Sequence, residues 1–525
     1  MPVSPTYPGI YIEEVPSTAR TITAAPTSIT VFVGYTHPFK TRNFGTAVRV
    51  LNFQDFEREF GGHYSSGLVD SNVALAVDEF FQNGGSDSYV VGLQPRYRDN
   101  TGAIVAPGNL ILPSATVGGG TGIVFEAREP TDRLAMRVTV DNLKQKVAAN
   151  DTADVTISYG PNVETFRAVT LIAGDPNHVA RRIGIPGAAS SGLVTVRPAG
   201  ANFPAAFTAV SQASLVSTPP AGFFTTFSAT DFGDVFEADS SLDKVAIFNL
   251  LVLPGVADNA IWSDGLAFAE RKRAFVILDP PAQAAADDSS APLPKIEDLV
   301  NAGTLVPPSA NGALYFPYLQ RRDPVTNSPI EVAPSGYVAG VYARTDLNRG
   351  VWKAPAGLET TLRDTTGVVA HGRMTDMRQG ILNPIGVNCI RTFPGIGSVV
   401  FGARTVVTAN PAYQPWRYVP VRRMALFIEQ TLYNNLGWAV FEPNDNPLWL
   451  ALRITVENFM LSLFSQGAFQ GSSPRQAFLV QCDASTTTQV DIDNGIVNII
   501  VAFRPLKPAE FVVIKIAQLA GQVQA

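Results

Sequence analysis

Histidine, cysteine and carboxylate side chains are the groups that catalysis and metal binding most often use, and in this chain they are scattered. The chain has four histidines: His37, His63, His178 and His371. None has a cysteine or carboxylate at ligand spacing, so no metal site is predicted. We find no G-x-S-x-G elbow and no Walker loop. The sequence therefore predicts no catalytic residue, no metal and no cofactor.

Two short motifs resemble ligand-binding loops but have the wrong spacing. Residues 491–495 read Asp-Ile-Asp-Asn-Gly, yet the acidic spacing of a calcium loop slips by one residue and no glutamate closes it. We interpret this segment as a turn between strands. Residues 394–397 read Pro-Gly-Ile-Gly, but the third glycine of a dinucleotide loop comes too late, at Gly402.

Both ends of the chain carry a short apolar strand pattern bounded by prolines. An isolated strand is unstable in water because its backbone donors and acceptors need a partner edge. Each end is therefore predicted either to pair within its own fold or to add a strand to a neighbouring subunit. The residues predicted to form such inter-subunit strands are Ile10, Tyr11, Ile12, Val15, Phe511, Val512, Val513, Ile514 and Ile516.

Apolar periodicity between the two ends predicts a mixed α/β fold. Residues 28–34, 88–93, 245–253 and 274–280 are predicted to be buried strands, and residues 72–81 a helix with Asn72 as its N-cap. Composition then divides the chain into six segments. These are an N-terminal arm (1–25), a first core part (26–95), a β-rich insert (96–239), a core continuation (240–345) with a loop insertion at 281–334, a C-terminal domain (346–505) and a C-terminal arm (506–525).

The C-terminal domain has the clearest helical pattern. Residues 421–436 form one predicted helix, and a second begins with Asn446 as N-cap and Pro447 in its first turn. Its predicted apolar face consists of Leu448, Leu452, Val456, Phe459, Met460 and Leu463. Strands are predicted at 476–482 and 496–503. The simplest arrangement of these elements is two helices packed on a small mixed sheet.

Composition limits the classes of partner. The 525 residues are 46% hydrophobic and only 16% charged, which fits a surface that is largely covered by copies of the same chain. A net charge of -6 argues against nucleic acid as a partner. The start of the chain has no signal-peptide pattern, and the most apolar window, 245–253, is too short for a membrane span. The cysteines Cys389 and Cys482 lie among apolar residues and are predicted to be buried thiols of a protein folded in a reducing cytoplasm.

Several short sequence blocks of this chain resemble those of the contractile tail sheath proteins of phages and related contractile injection systems. The first block, Pro-Gly-Ile-Tyr-Ile-Glu-Glu-Val at 8–15, is similar to the opening signature of many sheaths. Further blocks lie at 27–34, 53–62, 80–85, 352–357, 382–388, 402–405, 418–423, 441–444, 482–483 and 508–511. The resemblance covers roughly 1–95, 240–280 and 337–525, and it fails across the insert.

This resemblance implies a helical homo-oligomer of stacked, hexameric rings around an inner tube. It implies that both arms join a sheet in adjacent subunits, and that the extended sheath is metastable. When the baseplate triggers it, the subunits repack, the sheath shortens, and the tube is driven through a target envelope. The implied partners are the chain itself, the inner tube protein, and baseplate and tail-terminator or cap proteins, without nucleic acid or membrane insertion. Assembly is expected in the bacterial cytoplasm, in a particle that can be released.

The resemblance also implies contact between a C-terminal helix and the inner tube. The candidate helices are residues 421–436 and 447–466, with Arg422, Arg423 and Arg453 as possible tube contacts. From the pattern alone, these arginines lie on solvated helix faces. The insert and residues 281–334 are expected to face outward.

Two alternatives stay open from the sequence. One is a non-contractile structural tube or capsid-like assembly protein. Such a protein would be equally uncharged and self-associating, but it would not need two terminal arms that add strands to neighbouring subunits. The other is an enzyme, such as a hydrolase housed in the insert or the α/β core, which the missing catalytic motifs disfavour. Whether the particle is a phage, an injection system or a secretion-type device is also open.

Overall fold

The computed structural model describes residues 21–37, 40–63, 72–94, 97–98, 104–105, 112–128, 135–160, 162–185, 190–216, 229–286, 293–303 and 305–515. The chain folds as two compact units. The core unit comprises the described residues of 28–344 and 356–410. The terminal unit comprises the described residues up to Thr27, together with 345–355 and the chain from Pro411 onward.

The core unit is built on an eight-stranded mixed sheet, which confirms the predicted mixed α/β class. Its strands, in spatial order, are Ala47–Val50, Ser88–Leu93, Thr30–Tyr35, Leu250–Val252, Phe275–Leu278, Gly312–Phe316, Val387–Phe393 and Gly397–Val400. The six inner strands run parallel, and the outermost strand at each side is antiparallel to its neighbour. The inner strands are almost entirely buried, as expected of parallel strands covered on both faces.

Helices cover this sheet. They are Phe53–Phe60, Val73–Gln82, Ala229–Phe236, Asn259–Lys272, Ile296–Asn301 and Asp376–Leu382. The helix Ser335–Arg349 also begins in the core unit, and its last residues, from Thr345, belong to the terminal unit. The side chain of Asn72 makes no capping hydrogen bond, although the residue stands at the predicted N-cap position of Val73–Gln82.

The described residues between 112 and 216 form two antiparallel sheets with a core of their own. One has the order Asn162–Thr170, Thr152–Tyr159, Arg137–Lys144 and Val210–Ser214, and the other Val194–Pro198, Ile123–Ala127 and Ser114–Val117. Alternate residues point into one apolar cluster that includes Phe125, Val138 and Ile157. A short helix, Val179–Arg182, and the two-residue strands Tyr97–Arg98 and Ile104–Val105 complete this region.

The segment 281–334 is not wholly a loop insertion, and this part of the prediction is wrong. Gly312–Phe316 is an inner strand of the eight-stranded sheet, paired in parallel with Phe275–Leu278 and Val387–Phe393. Its five residues are all buried, but a run this short has no periodicity that identifies it in the sequence. A small antiparallel sheet follows, formed by Pro329–Val332, Leu319–Arg322 and Gly367–Val368.

The terminal unit contains two long helices and a small sheet. The helices are Val419–Asn435 and Asn446–Ser465, followed by the short helices Pro474–Ala477 and Gln489–Asp493. The sheet is a pair of antiparallel strands, Phe478–Gln481 and Ile500–Phe503, rather than the predicted mixed sheet. All six residues of the predicted apolar face of the second helix are buried, which confirms that face.

Two local predictions in this unit are wrong. The N-cap of the second helix is Asp445, whose carboxylate accepts a hydrogen bond from the Leu448 N–H at 3.3 Å, and Asn446 is already the first helical residue. The Asp-Ile-Asp-Asn-Gly segment begins inside a short helix rather than forming only a turn. Thr488 caps that helix, and Asp491 accepts hydrogen bonds from the Thr488 N–H and hydroxyl at 2.8 and 2.7 Å.

Both cysteines are free and buried, as predicted. Burial raises the pKa of the Cys389 thiol to about 12. Such thiols are poor nucleophiles at neutral pH.

Candidate assembly surfaces

The root of the N-terminal arm lies along the helix Val419–Asn435. Asn435 exchanges hydrogen bonds with the backbone of Thr23 (Oδ1 to N, 3.0 Å; Nδ2 to O, 2.9 Å). The Ala25 N–H donates to the Thr431 hydroxyl at 3.1 Å, and Arg423 donates to the Thr27 carbonyl at 2.9 Å. These contacts fix residues 23–27 on one helix. The predicted arm residues Ile10, Tyr11, Ile12 and Val15 lie outside the described residues.

A hydrogen bond at Glu510 ties the C-terminal arm to the rest of the terminal unit. The Tyr418 hydroxyl donates to the Glu510 carboxylate at 3.4 Å, after which residues 511–514 lie outside any helix or strand. Their apolar side chains are 75–82% exposed: Phe511, Val512, Val513 and Ile514. The last predicted arm residue, Ile516, lies outside the described residues. Four consecutive exposed apolar residues are unfavourable in water unless another surface covers them.

The small sheet of the terminal unit has free edges. Within the described chain, Phe478–Gln481 and Ile500–Phe503 pair only with each other, so each has an outer edge without a strand partner. Leu479 and Ile500 are half exposed on one face of this sheet. An unpaired edge beside exposed apolar side chains is a template for a further strand.

Arg423 is an interior residue, so it is not available as the surface contact that the sequence predicted. Its side chain is 3% exposed and forms a two-pronged ion pair with Asp346, at 2.9 Å (Nη1 to Oδ1) and 2.6 Å (Nη2 to Oδ2). Asp346 is equally buried. Sequence reasoning missed this pair because the two residues are far apart in the chain and neither local pattern identifies the other.

The two other predicted tube contacts are more accessible. Arg422 lies over the Trp416 ring, with 4.9 Å from Cζ to the centroid, and pairs with Glu429 at 3.4 Å. Arg453 is more than one-third exposed and lies 4.0 Å from Glu457 one turn along its helix. The three arginines thus divide between two helices, and Arg453 is the most exposed of them.

The helix Asn446–Ser465 also has an exposed apolar face that the sequence analysis did not identify. Leu450, Ile454 and Leu461 are 38–47% exposed at positions that share one side of the helix. By length and composition this is the one described helix that could cross a membrane, a test that core helices of soluble proteins also pass. Between the two long helices, Phe441 is fully exposed with a left-handed φ of 70°.

These surfaces are suited to packing of apolar side chains and to pairing of strands. No group of three or more histidine, cysteine, aspartate or glutamate side chains among the described residues could hold a metal ion. Hydrogen bonds from Thr488 lower the pKa of the Asp491 carboxyl, so its charge serves the helix cap.

Comparison with known proteins finds a family match for one part of the chain, most of which lies in the core unit. The family model of the phage tail sheath protein central domain matches residues 237–406. A putative prophage major tail sheath protein of Pseudomonas aeruginosa (strain UCBPP-PA14) is 27% identical over 279 residues, which are 51% of this chain. The match spans 65% of the length of that curated relative.

Solved structures share the fold over almost the whole chain. The sheath complex of an extracellular contractile injection system, PVC, in its contracted state has a TM-score of 0.58 at 22% identity, with 98% of each chain covered. The helical sheath of the anti-feeding prophage (AFP) in its contracted state has a TM-score of 0.56 at 22% identity, with 98% of this chain and 100% of the other covered. A chain of the AFP baseplate structure gives 0.57 at 23% identity, with 98% and 99% covered. Residues 237–406 are thus similar to the phage tail sheath protein central domain, and 98% of the chain shares the fold of solved sheath chains.

Proposed function

We propose that this protein is the structural subunit of a contractile tail sheath, which polymerises around an inner tube and contracts to drive that tube through a target envelope. The observation that carries the proposal is the fold likeness, over 98% of the chain, to sheath chains solved in a contracted state. The alternative of a non-contractile tube or capsid-like protein has no comparable support. The role is structural, and the work comes from a change in packing between subunits.

We infer that the arms connect neighbouring copies through the small sheet of the terminal unit. Three observations support this inference. Polar side chains hold the root of the N-terminal arm on a helix, residues 511–514 are apolar and exposed, and the nearby two-stranded sheet has free edges. A strand that adds to such an edge satisfies its backbone hydrogen bonds and covers its apolar side chains in one step.

The inner tube is the partner that we assign to the helix Asn446–Ser465. Its exposed face combines the apolar residues Leu450, Ile454 and Leu461 with the accessible guanidinium of Arg453. Such a mixed surface fits a partner that presents apolar and acidic groups. Arg422 is a secondary candidate because it is largely covered by Trp416 and Glu429.

The remaining parts of the proposal concern the particle. We assign the insert at 96–239 to the outer surface and expect hexameric rings that meet a baseplate at one end and a terminator or cap protein at the other. Assembly is expected in the bacterial cytoplasm, without nucleic acid or membrane insertion, and the assembled particle can be released.

Removal of the C-terminal arm tests this proposal. A chain that ends at Glu510 should form no long tubes in electron micrographs, because the C-terminal strand that would pair with a neighbouring copy is missing. Its melting temperature should stay within about 2 °C of wild type, since residues 511–514 bury little surface. Val512→Asp should act in the same direction.

The matched control is Val163→Asp, which alters another exposed valine, on a strand of the insert, and should leave tube formation unchanged. Long tubes formed by the truncated chain would show that the C-terminal arm is not needed for assembly.

A further inference from the structure

A cavity of about 340 Å³ lies in the core unit. It is bounded by the strand Gly367–Val368, the segment 372–374 and the strand Val387–Phe393. Its lining residues include two arginines, two threonines and two aliphatic residues: Arg373, Arg391, Thr366, Thr392, Val368 and Ile390. This mixture suits a ligand with a charged end and a short apolar stem.

A glycine and two threonines with fixed hydroxyl groups line this cavity. Gly367 has φ = 137°, a conformation that residues with a side chain rarely adopt, and a Cβ at this position would point toward the Thr392 hydroxyl at 3.9 Å. The Thr366 hydroxyl donates to the Gln320 carbonyl at 3.1 Å, and the Thr392 hydroxyl bonds to Ser398 at 2.9 Å. Because each hydroxyl oxygen is held by one bond, its position is fixed while capacity for a further bond remains.

One of the two arginines already binds a carboxylate at the rim of the cavity. The Arg391 guanidinium is 17% exposed, contacts the Asp376 carboxylate, and donates to Gln379 Oε1 at 3.0 Å. Its Cζ also lies 5.2 Å from the centre of the Phe393 ring, which limits its motion. The Asp376 side chain is 91% exposed, so it covers Arg391 from the solvent side only. The rim therefore has the geometry of carboxylate recognition.

The second arginine has no such partner. Arg373 is exposed and forms no ion pair with any residue that the structure describes, although the chain as a whole carries a net charge of -6. An available guanidinium beside fixed hydroxyls and an aliphatic wall is complementary to an aspartate or glutamate side chain. The cavity is at the lower end of the roughly 300–1,000 Å³ range of ligand pockets, so a single side chain with a few waters fills it better than a cofactor does.

We propose that this cavity is an intersubunit socket, in which Arg373 binds the carboxylate of an acidic side chain from a second copy of this chain. The proposal rests on the self-assembly stated under the proposed function, because the lattice is what brings an acidic surface of one copy to the cavity of another. Acidic residues outnumber basic ones by 45 to 39, so a neighbouring copy offers many such carboxylates. In this socket the Arg391 side chain forms part of the rim, and the Arg373 guanidinium supplies the positive charge that binds the incoming carboxylate.

Charge reversal at Arg373 tests the socket. In the full-length protein, Arg373→Glu should raise the concentration needed for tube formation by about tenfold or more, because two carboxylates would then face each other. Arg373→Gln should have a smaller effect in the same direction. The matched control is Arg167→Glu, which reverses an exposed arginine on the strand Asn162–Thr170 of the insert and should leave assembly unchanged. Equal melting temperatures of the four proteins would show that folding is unaffected.

A competition experiment distinguishes an acidic side chain from a free anion. Glutarate, a small dicarboxylate, should inhibit assembly of the wild-type protein more than chloride at the same ionic strength, and should not do so for Arg373→Gln. If wild type and Arg373→Glu assemble equally, the socket proposal is wrong while the sheath proposal stands. If glutarate binds through Arg373 without affecting assembly, the cavity is a site for free anions and the proposal is also wrong. A wild-type chain that never assembles would contradict the sheath proposal itself.

Discussion

Arg423 joins three parts of the terminal unit through one buried guanidinium. It pairs with Asp346 and also holds the carbonyl of Thr27 at the root of the N-terminal arm. A buried charge that loses its partner is strongly unfavourable, whereas replacement of both partners by apolar residues is often nearly neutral. The net free energy of the Arg423–Asp346 ion pair is therefore modest, but the pair is important because it fixes the position of the N-terminal arm.

We predict that Arg423→Met lowers the free energy of unfolding by about 3–5 kcal/mol, because Asp346 is left buried and uncompensated. The double variant Arg423→Met with Asp346→Leu should recover most of this loss. Urea unfolding monitored by circular dichroism measures both. Arg422→Met is the control on the same helix and should cost about 1 kcal/mol or less, since the Glu429 carboxylate that faces Arg422 is 45% exposed, whereas Asp346 is 3% exposed. Equal losses for the two arginines would contradict the assignment of Arg423 to the interior.

Asp279 is a second buried charge with a measurable consequence. It follows the strand Phe275–Leu278 and accepts hydrogen bonds from the Ser335 N–H (2.8 Å), the Ser335 hydroxyl (2.6 Å) and the Gly255 N–H (2.9 Å). Burial nevertheless raises the pKa of its carboxyl from 3.8 to about 6, because the three donors only partly replace water.

The pH dependence of stability should show this shift. Between about pH 4 and 6 the unfolded chain releases the Asp279 proton while the folded chain retains it, so this group's contribution to stability falls as pH rises. The loss should be complete near pH 6 and amount to about 3 kcal/mol at most. The measurement is the difference in unfolding free energy between wild type and Asp279→Asn at several pH values. A difference that stays constant from pH 4 to 7 would contradict the raised pKa.

The helix Asn446–Ser465 shows how one residue decides where an element begins. Asp445 and Asn446 are both good N-cap residues, so the sequence does not distinguish them, but only Asp445 is placed to accept the Leu448 N–H. We predict that Asp445→Ala lowers the free energy of unfolding by about 1 kcal/mol, while Asn446→Ala changes it by less than about 0.5 kcal/mol. Chemical denaturation of both variants checks this, and the opposite order would place the cap at Asn446.

Elements with strong local patterns were predictable. The buried face of Asn446–Ser465 follows from helical spacing alone, and Ser88–Leu93 follows from a short β-branched run between turn residues. Elements whose structure depends on contacts beyond the local pattern were not predictable. Gly312–Phe316 is a strand because two parallel neighbours surround it, and Gln489–Asp493 is a helix because the Thr488 capping box outweighs the turn-forming residues that follow.

The candidate site was predictable in outline and less so in detail. The apolar pattern at 511–514 predicts the C-terminal arm from the sequence, and the structure shows those side chains exposed. The anchor of the other arm required Asn435 and Thr431 to meet residues 23–25, more than 400 positions away, and no local pattern identifies such a pairing. The exposed face of Asn446–Ser465 was missed because the same helix also carries a wider apolar face, which is buried.

For the whole molecule, the account requires that many weak contacts act together. By the proposals above, each copy contributes two arms, a small sheet with free edges and one carboxylate socket. A modest gain in buried surface per subunit becomes large when it is summed along a lattice, so contraction by this route would need no bound fuel. The arms would keep copies connected while the rest of each subunit changes its neighbours.

Electron microscopy of the purified full-length protein, alone and together with its inner tube protein, tests this claim most directly. The account predicts long hollow cylinders with a regular helical lattice that occur in two forms, one extended around the tube and one shorter and wider. A single lattice that never changes its length would indicate a static tube. Separate monomers under all conditions would contradict the assignment of this chain to a sheath.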